Sequence, residues 1–458
     1  MKVRFFIALW ASKFMLFLFK IFNNRKDDKP GILALKICDN FLELIKKPKT
    51  VIAVTGTNGK TTVSNFLSEM LIKNNKKVVY NDWGANTKAG AARCLLDSIN
   101  IFNKSTCDIA VLETDEITSC DIFPFVQPDY IIVTNLFRDS MHRNAYPNYV
   151  FKMINDYIPD KTTLILNSDD AISSNLGKNN KKVFYSILKQ DFDKEKDNIV
   201  VDARICPKCS NKLKYDFRRY HHIGKYNCEK CNYKNYKAQY IATNVDLENK
   251  KITIKNNNKE NIYNLSSDSI FNAYNTLAVI TCLKELGIDD KKIKKDIENQ
   301  KIVASRFSND IVNNIEINTL VCKGLNGVAT SRVCDYLSEQ KGNIEIIIVI
   351  DDTFDNVDGS EAISWIYDAD FEFLNKDNIK RIIVGGVRSK DYLVRLLLAG
   401  IDKKKIFITD KEQDTYKYLN LKDTNKIFIL HEVYYVSGAM KIKENIKNKI
   451  LEGENHEN

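Results

Sequence analysis

Residues 50–54 read Thr-Val-Ile-Ala-Val, a β-branched run suited to a buried strand, and lead into Gly56-Thr57-Asn58-Gly59-Lys60-Thr61-Thr62. Behind that loop Val63, Phe66, Leu67, Met70 and Leu71 recur at helical spacing. Strand, glycine loop and helix in this order limit the chain to α/β folds that hold phosphate at a helix N-terminus. The two glycines let the backbone turn tightly, so that several N–H groups point at phosphate oxygens. Lys60 brings a charge to the β- and γ-phosphates, and Thr61 can hold Mg²⁺. The spacing departs from the common G-x-x-x-x-G-K-[ST] loop, because position 54 is Val and the first glycine is Gly56. Gly56 through Thr62 are the expected nucleotide-binding residues.

Further buried strands are expected at 77–80, 108–112, 130–134 and 163–166, with helical stretches between several of them. This alternation predicts an α/β domain with a mainly parallel sheet. The strand at 108–112 ends in Glu113-Thr114-Asp115-Glu116. A carboxylate at a strand end beside the loop suits a Mg²⁺ site, and Glu113 is the candidate. Strands at 240–245 and 251–254 precede a helix over 270–286. A second α/β set has strands at 315–321, 344–350, 381–384, 405–408 and 426–430, and helices at 328–339, 392–399 and 413–419. The 458 residues then divide into a lead-in over 1–49, a nucleotide-binding domain over 50–305 and a C-terminal domain over 306–458.

Residues 204–236 interrupt the pattern. Cys206-Pro-Lys-Cys209 and Cys228-Glu-Lys-Cys231 are separated by 18 residues, the spacing of a four-thiolate structural Zn²⁺ site. Four ligands leave no open position for catalysis. Arg218, Arg219, Tyr220 and Lys225 lie between the pairs as a basic, aromatic set that a nucleic-acid binder would use. The net charge of +10 permits an anionic partner without naming one, and its basic residues do not concentrate in one tract. Eleven cysteines, an odd number and scattered, fit a reducing cytoplasm better than a disulfide framework. Residues 5–22 are apolar, but Lys13 and Lys20 interrupt them and no small-residue cleavage site follows. A spanning helix needs about 20 unbroken apolar residues, so an amphipathic helix is expected here. It either packs on the protein's own core or lies on a membrane surface.

The loop Thr-Gly-Thr-Asn-Gly-Lys-Thr-Thr resembles that of the Mur ligase superfamily, which includes folylpolyglutamate synthetase. Gly84-Ala85-Asn86, Glu113-Thr114-Asp115-Glu116, Asn135-Leu136-Phe137-Arg138-Asp139, Leu166-Asn167-Ser168-Asp169-Asp170 and Phe271-Asn272-Ala273-Tyr274-Asn275 are similar to the MurT family. So are the cysteine ribbon and Ser364-Trp365-Ile366-Tyr367-Asp368-Ala369-Asp370-Phe371-Glu372. The resemblance implies a Mur ligase-like central ATP-binding domain with an inserted zinc ribbon, and a C-terminal Rossmann-like α/β domain. It implies that ATP activates the D-glutamate α-carboxylate of the lipid II stem peptide as an acyl phosphate, and that ammonia converts it to D-isoglutamine. The ammonia would come from a GatD-type glutaminase subunit. Consistently, no nucleophile elbow surrounds any cysteine of this chain. Asn272 or Asn275 would contact adenine, and Arg306 would reach the phosphates. No nucleic acid is expected as partner, and the reaction would take place in the cytoplasm, beside or away from the membrane.

The resemblance also implies an acidic residue lent to the glutaminase's Cys-His pair, from a motif written DG-x-D-x-SW. This chain reads Asp358-Gly359-Ser360-Glu361-Ala362-Ile363-Ser364-Trp365, with one residue extra and Glu in place of Asp. Glu361 is the first choice, since Glu orients a histidine as Asp does, with Asp358 and Asp355 as rivals. Two other readings stand beside the amidating ligase: a ligase that adds an amino acid to a carboxylate, and a zinc-ribbon nucleic-acid binder that uses ATP as a switch.

Overall fold

The computed structural model describes residues 2–22, 27–81, 84–138, 146–193, 198–298, 307–322, 324–350, 363–432 and 435–454. They form two compact units. The first opens with α1 (Lys2–Phe22), α2 (Lys29–Ile37) and α3 (Phe41–Leu44). It continues through β1 (Thr50–Thr55), α4 (Lys60–Lys73), β2 (Val78–Tyr80), α5 (Lys88–Asp97), β3 (Ile109–Glu113), α6 (Ser119–Val126), β4 (Tyr130–Val133), α7 (Pro147–Asn155), β5 (Thr163–Asn167) and β6 (Lys182–Ile187). A hairpin, β7 (Lys214–Tyr220) and β8 (Ile223–Asn227), is followed by β9 (Tyr240–Asp246), β10 (Lys251–Asn256) and β11 (Lys259–Asn264). Helices α8 (Ile270–Glu285) and α9 (Asp290–Glu298) close the unit.

Nine of these strands form one sheet in the order β11-β10-β9-β6-β5-β4-β1-β3-β2. It is parallel from β2 to β9, and β10 and β11 turn back antiparallel at one edge. β1 lies between β3 and β4, and every residue from Val51 to Thr55 is buried. A central strand covered on both faces explains its unbroken β-branched run. The loop at its carboxyl end sits beside the ends of both neighbours, where doubly wound sheets bind ligands. β11, at the sheet's edge, was not visible in the sequence pattern, because the run Lys259–Asn264 is mostly polar, and the buried interior strand β6 was not read from the sequence either.

The second unit contains β12 (Phe307–Val312), β13 (Ile315–Val321), α10 (Gly327–Ser338), β14 (Ile344–Val349), β15 (Ile379–Gly385), α11 (Ser389–Leu398), β16 (Ile406–Thr409), β17 (Lys426–His431) and α12 (Val436–Glu454). Its sheet runs β12-β13-β17-β14-β15-β16, parallel except for the edge hairpin of β12 with β13. This is the expected doubly wound arrangement. The helix expected at 413–419 is a tighter 3₁₀ segment, Glu412–Tyr418. Its Thr415 packs on Gly385, where an added Cβ would stand 2.6 Å from the threonine methyl. Trp365, Ile366, Ala369 and Phe371 of the Ser-Trp-Ile-Tyr segment are buried in the unit's core. Arg395 Nη2 donates to the Ala369 carbonyl and to Glu372, each at 2.7 Å.

Candidate phosphate site and cysteine cluster

Gly56 has φ +124° and Gly59 φ +91°, backbone values that side chains rarely adopt. Space is equally restrictive, since a Cβ on Gly56 would stand 2.3 Å from Thr134 Oγ1, and one on Gly59 2.5 Å from Asn275 Oδ1. The segment that follows β4 clamps the loop. Asn135 Oδ1 accepts from the Asn58 amide at 3.0 Å, and Asn135 Nδ2 and Thr134 Oγ1 donate to the Asn58 carbonyl at 3.0 and 2.7 Å. The Phe137 amide donates to Thr57 Oγ1 at 2.9 Å. These clamps join positions nearly 80 residues apart, so no local sequence pattern marks them.

At the start of α4, Lys60 is buried and its ammonium donates to the Gly56 carbonyl at 2.7 Å and to Glu116 Oε1 at 3.0 Å. Glu116 Oε2 is buried without a hydrogen bond. Thr61 Oγ1 donates to Glu113 Oε1 at 3.0 Å. The Glu113 backbone is held on both sides by the Asn81 side chain, at 2.8 and 2.9 Å. A hydroxyl from the first turn of α4 and a carboxylate from the end of β3 make an oxygen-only donor pair of the kind Mg²⁺ prefers, so these residues fit that ion. Asn275 stands against the loop at Gly59, whereas Asn272 Nδ2 is bonded to Ser266 Oγ at α8's N-terminus. Thr62 is half-buried on the first turn of α4. Arg306, Asp355, Asp358 and Glu361 lie outside the described residues.

The sulfurs of Cys206, Cys209, Cys228 and Cys231 all lie within 4.8 Å of one another. Cys206 and Cys231 are 3.5 Å apart, as are Cys209 and Cys228. Four convergent thiols fit a tetrahedral Zn²⁺ site, and among the described residues this is the one such group. A small cluster of Ala203, Leu213, Tyr226 and Tyr233 packs beside it, more core than the sequence suggested. The hairpin β7–β8 does not offer Arg219 and Tyr220 to a nucleic acid, because both are buried. Arg219 Nη2 pairs with Asp193 at 2.5 Å, and its guanidinium also meets the Tyr274 hydroxyl. Tyr274 OH donates to Asp169 Oδ2 at 2.8 Å.

His222, at the hairpin turn, meets Asp170 with Nε2 3.1 Å from Oδ1. Asp170 Oδ2 accepts from Ser173 Oγ at 2.7 Å and from the Leu136 amide at 2.8 Å. Burial alone would push the Asp170 carboxyl up, but His222, Ser173 and the Ile172 amide outweigh it and hold the group below its ordinary value. The His222 ring lies 4.4 Å from that of Phe137. Phe137 is the residue whose backbone holds Thr57, so the ribbon leans on the same segment that clamps the loop. Two adjacent histidines at a hairpin turn were the available signal.

The Mur ligase middle-domain family matches residues 54–217, and the MurT ligase C-terminal family matches residues 324–435. The MurT subunit of lipid II isoglutaminyl synthase (glutamine-hydrolyzing) from Staphylococcus aureus is 32% identical over 401 residues, 87% of this chain and 89% of that one. The chain belongs to the MurT family. The MurT subunit from Streptococcus pneumoniae is 28% identical over 404 residues, 88% of each chain. Among solved structures, a pseudomurein peptide ligase type C from Methanothermus fervidus superposes with a TM-score of 0.68 at 21% identity, covering 89% of this chain and 81% of that one. That likeness establishes the Mur ligase fold, and the MurT matches extend through the second α/β unit.

Proposed function

We propose that the chain is the ligase subunit of a two-chain enzyme that amidates the D-glutamate α-carboxylate of the lipid II stem peptide to D-isoglutamine. The observation that carries this reading is the run of MurT similarity across both units, C-terminal match included, in a chain that keeps the whole phosphate loop. ATP supplies the phosphoryl group that activates the carboxylate. The loop amides from Gly56 to Thr62 and the Lys60 ammonium receive the phosphates, with Lys60 turning from Gly56 and Glu116 towards them. Thr61 and Glu113 would hold Mg²⁺, which offsets charge on the transferring phosphoryl group. Asn275, Asn272 and Arg306 would orient the nucleotide. Ammonia then displaces phosphate from the acyl phosphate.

In the same reading, residues 50–305 carry nucleotide chemistry and 306–458 receive a GatD-type glutaminase, with Glu361, or its rivals Asp358 and Asp355, completing that partner's site. Cys206, Cys209, Cys228 and Cys231 would bind Zn²⁺ as a structural ion. The enzyme would work in the cytoplasm, where ATP and glutamine are available. Co-expression with a candidate glutaminase and mass analysis of lipid II test the proposal. The expected result is an ATP- and glutamine-dependent conversion of acid to amide. A gain of an amino-acid residue mass would favour the ligase alternative instead.

A further inference from the structure

Helix α1 uses only one of its faces to hold the protein together. Phe5, Ala8, Leu9, Ser12 and Leu16 are buried, and the helix is tied down by Trp10 Nε1 donating to the Ile101 carbonyl at 2.9 Å and Lys13 Nζ to the Ile99 carbonyl at 2.6 Å. The opposite face carries Val3, Ile7, Trp10, Phe14, Phe17 and Ile21, each at least half exposed. Their spacing of four and three residues makes one continuous stripe along the helix. The Ile101-Phe102 turn extends it from another part of the chain, with Phe102 67% exposed beside Trp10's partner. Isolated exposed apolar residues need no explanation, but a stripe joined from two separate elements marks an interaction surface.

We infer that this stripe seats the first unit on the surface of an anionic lipid bilayer. Charge selects the occupant. Residues 1–26 contain Lys2, Arg4, Lys13, Lys20, Arg25 and Lys26 and no acidic residue. At about 100° per residue, Lys2 and Lys20 fall on one flank of the stripe and Arg4 on the other, while Lys13 stays bonded to the Ile99 carbonyl. Long basic side chains can then reach headgroups while the aromatic rings enter the acyl boundary. A cytoplasmic leaflet rich in anionic lipid attracts such a segment. The helix does not span the bilayer, because its other face and its Trp10 and Lys13 bonds belong to the protein body. The choice of lipid over a protein partner rests in part on the proposed reaction, whose substrate is lipid-linked: docking would bring the phosphate loop to a substrate confined to that surface.

Flotation of the full-length, zinc-loaded chain with vesicles of phosphatidylcholine, with and without one-third phosphatidylglycerol, tests the inference without ATP or substrate. The wild type should float with the anionic vesicles and be released by high salt. Phe14→Gln/Phe17→Gln replaces two exposed side chains, so it should keep the wild-type melting temperature and lose roughly tenfold or more in partitioning. Lys2→Glu/Arg4→Glu/Lys20→Glu should lose the preference for anionic lipid. Equal flotation of wild type and the Phe variant overturns the inference. So does a wild type that stays in solution, and a concentration-dependent dimer that the Phe variant dissolves would then identify a second copy as the occupant. A water-soluble substrate analogue separates the two proposals. If the Phe variant amidates it normally but slows on vesicle-borne substrate, both stand. If vesicle binding is as described but neither substrate is turned over with the glutaminase, the reaction fails and the docking surface remains.

Discussion

Gly59 and Glu113 carry the sharpest expectations at the scale of single residues. Gly59→Ala adds a methyl 2.5 Å from Asn275 Oδ1 at a φ of +91°. A left-handed residue with a Cβ costs about 1–2 kcal/mol, and the loop must also shift. Nucleotide affinity, read by titration with a fluorescent ATP analogue, should fall at least roughly tenfold, with only a small loss of melting temperature. Glu113→Gln keeps an oxygen for the Thr61 hydroxyl but removes the charge. The Mg²⁺ concentration for half-maximal activity should rise at least roughly tenfold; an unchanged Mg²⁺ requirement would remove Glu113 from the ion's shell. The loop glycines, Lys60 and Thr61 were legible in the sequence because local geometry and charge demand those residue types in that order. Glu116, Asn81 and Asn135 were not, since their partners lie across the sheet and no spacing connects them.

The ribbon hairpin and α12 are the elements whose roles only the structure exposes. The cysteine spacing pointed to the four-thiol cluster, yet the path from His222 through Asp170 and the Leu136 amide to Phe137 depends on how the hairpin docks. His222→Ala leaves Asp170 buried without that partner, a cost of about 1–3 kcal/mol. Zinc content should stay at the wild-type level while KM for ATP rises several-fold; an unchanged KM with a lowered melting temperature would make the hairpin a separate structural module. α12 was hidden by its Lys- and Asn-rich composition. Lys443 on its buried face pairs with Asp310 of β12 at 3.2 Å, and Lys447 pairs with the same carboxylate at 2.5 Å. Lys447 first, then Lys443, hold the Asp310 carboxyl below its ordinary value. A depressed carboxylate adds stability that is complete above its unfolded pKa of about 3.9 and is lost as pH falls through the lower folded value. Thermal melts of Asp310→Asn should therefore show a lower melting temperature at neutral pH and a smaller acid-induced loss than wild type as pH falls below about 4.

For the whole molecule, alternating strands and helices made both α/β sheets readable, while the antiparallel edge strands β11 and β12 were not, being polar and short of apolar alternation. In the proposed amidating ligase, the first unit handles the nucleotide, the ribbon braces its phosphate clamp, and the second unit is of MurT type. The most direct measurement supplies glutamine labelled with heavy nitrogen at its side-chain amide to the chain, a glutaminase partner, ATP and lipid II. The label should appear in the α-amide of D-isoglutamine and be lost when either chain or ATP is omitted. Label that never enters lipid II, together with ATP-dependent addition of an amino acid, would contradict the proposed amidation.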